Sequence, residues 1–433
     1  MLPATRSTDE ATMASPIIYN LFPRLAGHMG RWPEHGARAA EMGFDWLFLN
    51  PVQYPGFSGS LYAVKDFYRL NPLFVPPGVD EPMEELRRTL DRLHGLGLRV
   101  MMDLVINHTA KDSELVKAHP AWFRRDRSGD VVSPSAIDPA DARKVTVWGD
   151  LAEVDNAASS DRQGLWAYWT AMMQYYLELG FDGFRCDAAY KVPAKLWEQL
   201  IGAAHRQKPD VLFLAETLGC RLAEVRGLQS AGFDYLFNSS KWWSYDAPWA
   251  LQQHEEFGAI APSIAFPESH DTPRLMAETG GQVQVQRQRY AFAAVFSAGL
   301  LMPVGYELGF TRKLDVVSTS PDDWEQTDVD LSSYIGGINR LKREIPVLGV
   351  EGRLQVVTTL NEPTVVLRKT GPAGMEPAVI VVNKDWHAPQ VCRLPGGTGT
   401  RIIRLLAADP TPAPRGSGSD LRLEPAEVVL LLP

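Results

Sequence analysis

Eight short apolar runs with strand character, each followed by a longer stretch, constrain what this chain can fold into more than any other feature. They are IIYNLF (17–22), DWLFLN (45–50), RVMMDLVIN (99–107), GFDGFRCDA (180–188), VLFLAE (211–216), FDYLF (233–237), SIAFPE (263–268) and LLMPVGYE (300–307). Strand-like runs alternating with amphipathic segments read as repeated βα units on a parallel sheet, and eight such units close a barrel. The intervening segments support this. PMEELRRTLDRLHGLG sets Met83, Leu86, Leu90 and Leu93 at helical spacing, and GLWAYWTAMMQYYLELG does the same with Leu165, Trp169, Met172 and Tyr176.

The rhythm breaks twice. From Thr109 to Asp161 the chain is polar and rich in Pro, Asp and Ser, too long for an ordinary connection, which predicts an excursion after the third strand. After residue 350, runs such as LQVVTTL, TVVLRKT, AVIVVN and EVVLLLP are separated by Gly/Pro turns, the pattern of a small antiparallel β domain. The expected organisation is therefore a (β/α)8 TIM barrel from 1–108 and 162–350, an inserted domain over 109–161 and a β-sandwich-like domain over 351–433. TPAPRGSGS (411–419) reads as a surface loop.

Composition removes several function classes. A net charge of -9 without any Lys/Arg run argues against a nucleic-acid surface. No stretch is apolar enough to span a bilayer, and MLPATRSTDEATMASP lacks the basic start and apolar run of a secretory leader, so a cytoplasmic location is expected. Cys186, Cys220 and Cys392 fit neither a disulfide framework nor a zinc pattern.

Polar groups gather at the C-terminal ends of the expected strands, the face where barrel enzymes keep their sites. DLVINHT carries Asp103, Asn107 and His108; GFRCDAAYK carries Arg185 and Asp187; FLAET carries Glu216; FPESHDTPR carries His270, Asp271 and Arg274. Three carboxylates and a guanidinium in one cup suit glycosidic bond chemistry: one carboxylate attacks the anomeric carbon while a protonated one gives its proton to the leaving oxygen. Retaining sites hold that pair about 5–5.5 Å apart. Adjacent parallel strands, about 4.7–4.9 Å apart, supply that separation. Arg185 lies two residues before Asp187 on the same strand face and would keep it ionised. Glu216 needs the opposite, a raised pKa. Cys186, between the two, should face away and pack.

In their order and content these strings resemble the α-amylase family of glycosidases and transglycosidases, glycoside hydrolase family thirteen, over nearly the whole chain. DLVINH, GFRCDA, FLAET and SHD stand where that family has its four strand-end motifs. The resemblance implies Asp187 as nucleophile, Glu216 as acid/base and Asp271 as transition-state stabiliser, with His108, Arg185 and His270 around the sugar; Asp103 and Arg274, on the same strand ends, are expected to bind substrate with them. It implies Tyr62, in SGSLYAVKDFYRLNP, as the aromatic platform, and WGDLAEVDN (148–156) is similar to a motif near the end of the family's inserted domain. Two departures stand out: Ser269 replaces the family's asparagine before the histidine, and Ala188-Ala189-Tyr190-Lys191 replaces its usual Lys-His continuation. Asn107 matches a calcium-binding position of some members, although calcium takes six to eight oxygens and one matching residue does not make a site. No other cofactor is expected.

All members of that family would share a glycosyl-enzyme, resolved by water or by an acceptor. KWWSYDAPW (241–249) places Trp242, Trp243 and Trp249 after the sixth strand, where aromatic faces would hold an oligosaccharide acceptor. EMGFDWLFLNPVQYPG and KAHPAWFRRDRSGDVV loosely resemble the maltosyl-transferring branch. The expectation is hydrolysis or transglycosylation of α-glucans or malto-oligosaccharides. Transfer or phosphorolysis from a sugar 1-phosphate or disaccharide donor is the alternative, and a non-catalytic binding subunit a remote one.

Overall fold

The computed structural model describes residues 14–138, 141–357, 362–394, 400–407, 410–414 and 418–433. The first thirteen residues, weighed above for a leader, and residues 415–417 of the expected surface loop lie outside these. Eight parallel strands close a barrel: β1 (Ile17–Leu21), β2 (Trp46–Leu49), β3 (Arg99–Leu104), β4 (Gly183–Cys186), β5 (Leu212–Ala215), β6 (Tyr235–Phe237), β7 (Ser263–Ala265) and β8 (Gly299–Pro303). Each coincides with one of the eight apolar runs, β8 beginning one residue before its run, and β8 pairs back onto β1 through Ile17–Leu300 to Asn20–Pro303.

Strand alternation sorts the side chains into two cores. Ile18, Trp46, Phe48, Met101, Leu214, Phe237, Ile264, Phe266 and Leu301 fill the barrel interior. Their strand neighbours, among them Ile17, Tyr19, Leu47, Met102, Leu104, Phe184, Cys186, Phe213 and Ala215, face the outer helices. Both faces are thus apolar, and this is why the strands read as continuous runs. The helices that cover them bury the residues their spacing predicts: Leu86, Leu90 and Leu93 from Pro82–His94, and Leu165, Trp169, Met172 and Tyr176 from Arg162–Leu179.

After β3 the chain leaves the barrel. His108–Ala110 pairs antiparallel with Leu151–Glu153, and a hairpin forms from Ser135–Asp138 and Asp141–Val147. The excursion contains short strands that its composition did not announce.

Beyond the barrel, antiparallel strands run in the order Arg353–Val356, Thr364–Thr370, Ala378–Asn383, Val428–Leu432, Arg401–Arg404 and Ala413–Pro414. A two-stranded sheet, Gln390–Arg393 with Asp420–Leu423, covers one face. Val366, Val379, Val381, Val429 and Leu431 face that small sheet, while Val365, Leu367, Ile380, Val382, Val428 and Leu430 join the barrel's outer core. Two buried lysines pin this junction. Lys342 Nζ donates to the carbonyls of Ala294, Ser297 and Leu348, and Lys369 Nζ to that of Val295. These close the carbonyl end of the helix Val283–Phe296. No described helix is long and apolar enough to cross a membrane.

Candidate active site

Inward alternation places Asp103 on β3, Arg185 on β4 and Leu214 on β5 side by side in register. Two residues further on, the same inward face carries Asp187 beyond β4 and Glu216 beyond β5, one step past the paired Cys186 and Ala215. Cys186 points into the outer core, as its place between Arg185 and Asp187 requires.

Arg185 is the hub. Its Nη1 donates to Asp103 at 2.6 Å and to Asp187 at 2.8 Å, and its Nη2 lies 3.9 Å from Asp271. Burial works against its charge, but Asp103, Asp187 and Glu216 outweigh this and keep the guanidinium protonated. Three carboxylates around one buried guanidinium would be costly without that partner. Asp103 is wholly buried and pushed up to about 7 by desolvation, despite Arg185. It also accepts from Tyr62 Oη at 2.7 Å.

Tyr62 joins the carboxylate floor to the histidine wall. Its ring stacks on His270 with centroids 5.8 Å apart and planes 10° from parallel, and its hydroxyl lies 2.8 Å from His270 Nε2. His270 Nε2 also lies 3.1 Å from Asp271. Burial lowers His270 to about 4 and lowers His108 as well, so both rings are neutral near pH 7. His108 Nε2 reaches the Tyr62 carbonyl at 3.1 Å.

Glu216 sits 8% exposed on this cup. Desolvation first, then the charges of Asp187 and Asp271, raise its carboxyl to about 7 against the pull of Arg185. Its two oxygens accept backbone N–H bonds from Ala188 at 2.8 Å and Leu218 at 2.7 Å. Ala188 has φ 41° and ψ 47°, the left-handed region that L-residues other than glycine avoid. That strained turn follows Asp187 directly and aims its N–H at Glu216, so the two strand tips are held together by backbone. Asp271 is the open member, its side chain 48% exposed.

Most of the residues expected at the site converge: Tyr62, Asp103, His108, Arg185, Asp187, Glu216, His270 and Asp271. Two do not. Arg274 is fully buried, its Nη1 on Glu268 at 2.8 Å and its other nitrogens on the carbonyls of Val304 and Arg312. Each of its three nitrogens holds such a bond, and it braces the loop after β7 from behind. Trp243 is wholly buried against Phe296, at 4.5 Å between centroids, and its indole N–H donates to Gln253. It has no face for a sugar. Trp242 and Trp249 remain exposed.

Sequence reading missed Asn50, which ends the DWLFLN run and donates to Tyr62 Oη at 3.0 Å. A buried amide at a barrel strand end was the available signal. It also missed the backbone N–H of Ala188 and Leu218, which no residue type announces. For calcium, Asn107 offers little: its amide oxygen is engaged by His108 Nδ1 and its amide nitrogen faces the Asp187 carbonyl. Among the described residues no group of three or more His, Cys, Asp or Glu is arranged to hold a metal.

A cavity of about 20 Å³ lies within the cup, lined by Arg185, Glu216, Leu218, His270 and Asp271 among others. A much larger groove, about 1150 Å³, lies between the helix Pro248–Gly258 and the edge strand Arg353–Val356. It contains none of the strand-end carboxylates, so chemistry, not size, picks out the cup.

Residues 11–124 match the family described as glycogen debranching enzyme, glucanotransferase domain. An α-1,4-glucan:maltose-1-phosphate maltosyltransferase of Burkholderia pseudomallei is 27% identical over 97% of this chain, which spans 38% of that relative's length. A maltogenic α-amylase of Bacillus acidopullulyticus is 23% identical over 86% of the chain and 64% of its own length. An α-amylase from Lactobacillus plantarum superposes with a TM-score of 0.77 at 21% identity, covering 96% of this chain and 98% of that one. The acarbose complex of an α-amylase from Geobacillus thermoleovorans gives 0.75 at 17%, with 96% and 98% covered. A closed (β/α)8 barrel with acidic strand ends, an excursion after β3 and a β domain behind it define a class of enzyme. Within that class, the strand-end motifs resemble those of the α-amylase family, and the relatives and solved structures that the chain is similar to are enzymes of that family.

Proposed function

We propose that this chain cleaves or transfers α-glucosidic bonds of malto-oligosaccharides with retention of anomeric configuration, through a covalent glycosyl-enzyme on Asp187. The observation that carries the reading is the division of the carboxylates around Arg185. Asp187 takes a 2.8 Å bond from the guanidinium, while Glu216, on the adjacent strand and without that bond, has its carboxyl raised to about 7. A nucleophile and a proton donor are thereby separated by environment alone.

In the first half-reaction Asp187 attacks the anomeric carbon as Glu216 gives its proton to the leaving oxygen. In the second, Glu216 takes a proton from the incoming hydroxyl while the ester to Asp187 breaks. Asp271, beside neutral His270, would hold sugar hydroxyls and offset the positive charge of the oxocarbenium-like transition state. Tyr62 offers its ring as the floor on which the sugar rests. Asp103 acts through Arg185 and Tyr62 and would stay behind them, a positioning residue that does not touch the sugar. Neither metal nor organic cofactor is part of this scheme, and we expect the enzyme to work in the cytoplasm.

A second reading, transfer of a maltosyl unit from a 1-phosphate donor, draws support from the named activity of the Burkholderia relative. The two readings share the glycosyl-enzyme and differ in the donor and in what resolves the intermediate. Incubation with maltoheptaose, maltose and maltose 1-phosphate, with and without phosphate, followed by chromatography, separates them. Shorter products with new reducing ends mean hydrolysis, and longer chains without them mean transfer. Turnover of any donor by Asp187→Asn at the wild-type rate would exclude both.

A further inference from the structure

The geometry points to an acceptor platform on Trp148, held by Lys191, that takes the sugar rings of an incoming α-glucan chain. This rests on the glycosyl-enzyme reading above and deepens it by naming what the intermediate is offered.

Four observations place the platform. First, Trp148 is 40% exposed although it belongs to the largest side-chain type, and it stands at the end of the hairpin strand Asp141–Val147. Second, Lys191 reaches across to it: its Nζ lies 5.7 Å from the indole centroid and also donates to the carbonyl of Ser135 on the same hairpin. Third, Lys191 ends the short turn Ala189–Lys191 that follows Asp187, so the hairpin is tied to the segment carrying the nucleophile. Fourth, Trp148 is continuous with the cup. Leu151–Glu153, which begins one turn after it through the bond from Leu151 N to the Trp148 carbonyl, pairs with His108–Ala110, and His108 stands in the cup beside Tyr62. Tyr190, the half-buried residue before Lys191, stands on the same short turn after Asp187.

A sugar ring buries its apolar face well on an indole, and a nearby ammonium donates to its hydroxyls. An acceptor chain lying on Trp148 would direct its terminal hydroxyl past Tyr190 toward Glu216. There the hydroxyl oxygen forms the new bond to the anomeric carbon as the bond to Asp187 breaks, and its proton passes to Glu216. Of the three tryptophans expected for this task from the sequence, Trp243 is sealed in the core, while Trp242 and Trp249 are exposed. The exposed Val145 and Val147 continue the apolar strip outward, at 53% and 60% exposure.

The test compares Trp148→Ala, Trp148→Phe and Lys191→Met with wild type in three measurements. With α-maltosyl fluoride and increasing maltoheptaose, the ratio of elongated products to released sugar should fall about five- to tenfold in Trp148→Ala and stay near wild type in Trp148→Phe. Fluoride release without acceptor should be unchanged in both. Equilibrium binding of maltoheptaose to Glu216→Gln should weaken by a similar factor when Trp148→Ala is added. Lys191→Met should give an intermediate loss. An unchanged product ratio and unchanged binding in Trp148→Ala would overturn the platform. So would a wild type that only hydrolyses at saturating maltoheptaose, or a change confined to oligomeric state in gel filtration, which would assign the strip to a second copy of the chain. Absence of fluoride release from wild type would instead overturn the glycosyl-enzyme reading itself.

Discussion

The protonation of Glu216 makes the sharpest prediction. Its carboxyl moves from an ordinary value of 4.5 to about 7 because it is desolvated among Asp187 and Asp271. At ~1.4 kcal/mol per tenfold change, that is a preference of about 3 kcal/mol for the neutral acid. At pH 7 about half of the molecules then carry the donor proton, where an unperturbed glutamate would carry it in roughly one of 300. The perturbation is pH combined with a choice of leaving group. With an aryl α-maltoside of poor leaving ability, kcat/KM should fall tenfold per pH unit above a value near 7. With α-maltosyl fluoride, which departs without a proton, that limb should vanish from the glycosylation step. Glu216→Gln should lose the aryl maltoside activity by at least about 100-fold and retain most fluoride release. Asp103, also near 7, titrates in the same range, so the limb belongs to the coupled group of acids. A high-pH limb near 4–5, or one equally present with the fluoride donor, would refute the assignment.

Other consequences are open to measurement. Tyr62→Phe keeps the ring on His270 and removes the bonds to Asp103 and Asn50, which should cost about 1–2 kcal/mol in kcat/KM, whereas Tyr62→Ala should cost more by removing the platform. Ala188→Gly should relieve the left-handed strain and preserve activity; Ala188→Val should lose activity and destabilise by about 1–2 kcal/mol, read from denaturation and the pH profile together. Trp243→Ala should destabilise by about 3–5 kcal/mol in chemical denaturation, and Trp242→Ala should leave stability unchanged. Lys369 is lowered to about 7 by burial, so the unfolded chain binds its proton more tightly and stability should rise from pH 7 toward 10. Lys369→Met should flatten that rise in thermal melts.

Much of this architecture was legible in sequence because its cause is periodic. Each barrel strand is apolar on both faces, so the eight runs stand out, and alternation alone fixed that Arg185 and Asp187 share a face while Cys186 does not. The cup followed, since a polar residue at the end of such a run has only the barrel mouth to face. What the sequence did not convey was contact between distant segments. Arg274 sits one turn from Asp271, yet its charge is claimed by Glu268 and two carbonyls, partners no spacing rule foretells. Trp242 and Trp243 are neighbours in an irregular loop without a period, so nothing in their order distinguished the exposed ring from the buried one. Ala188 was read as part of a motif string, although its contribution is a backbone angle and an N–H bond.

The claim that Asp187 forms a covalent glycosyl-enzyme is tested most directly by trapping it. A 5-fluoro-α-glucosyl or maltosyl fluoride, which slows the second half-reaction more than the first, should inactivate the protein. Digestion and mass spectrometry should then place one glycosyl unit on the peptide carrying Asp187, with none found in Asp187→Asn. Rapid inactivation with the label on another residue, or turnover in which product NMR shows inverted anomeric configuration and no adduct, would contradict the account.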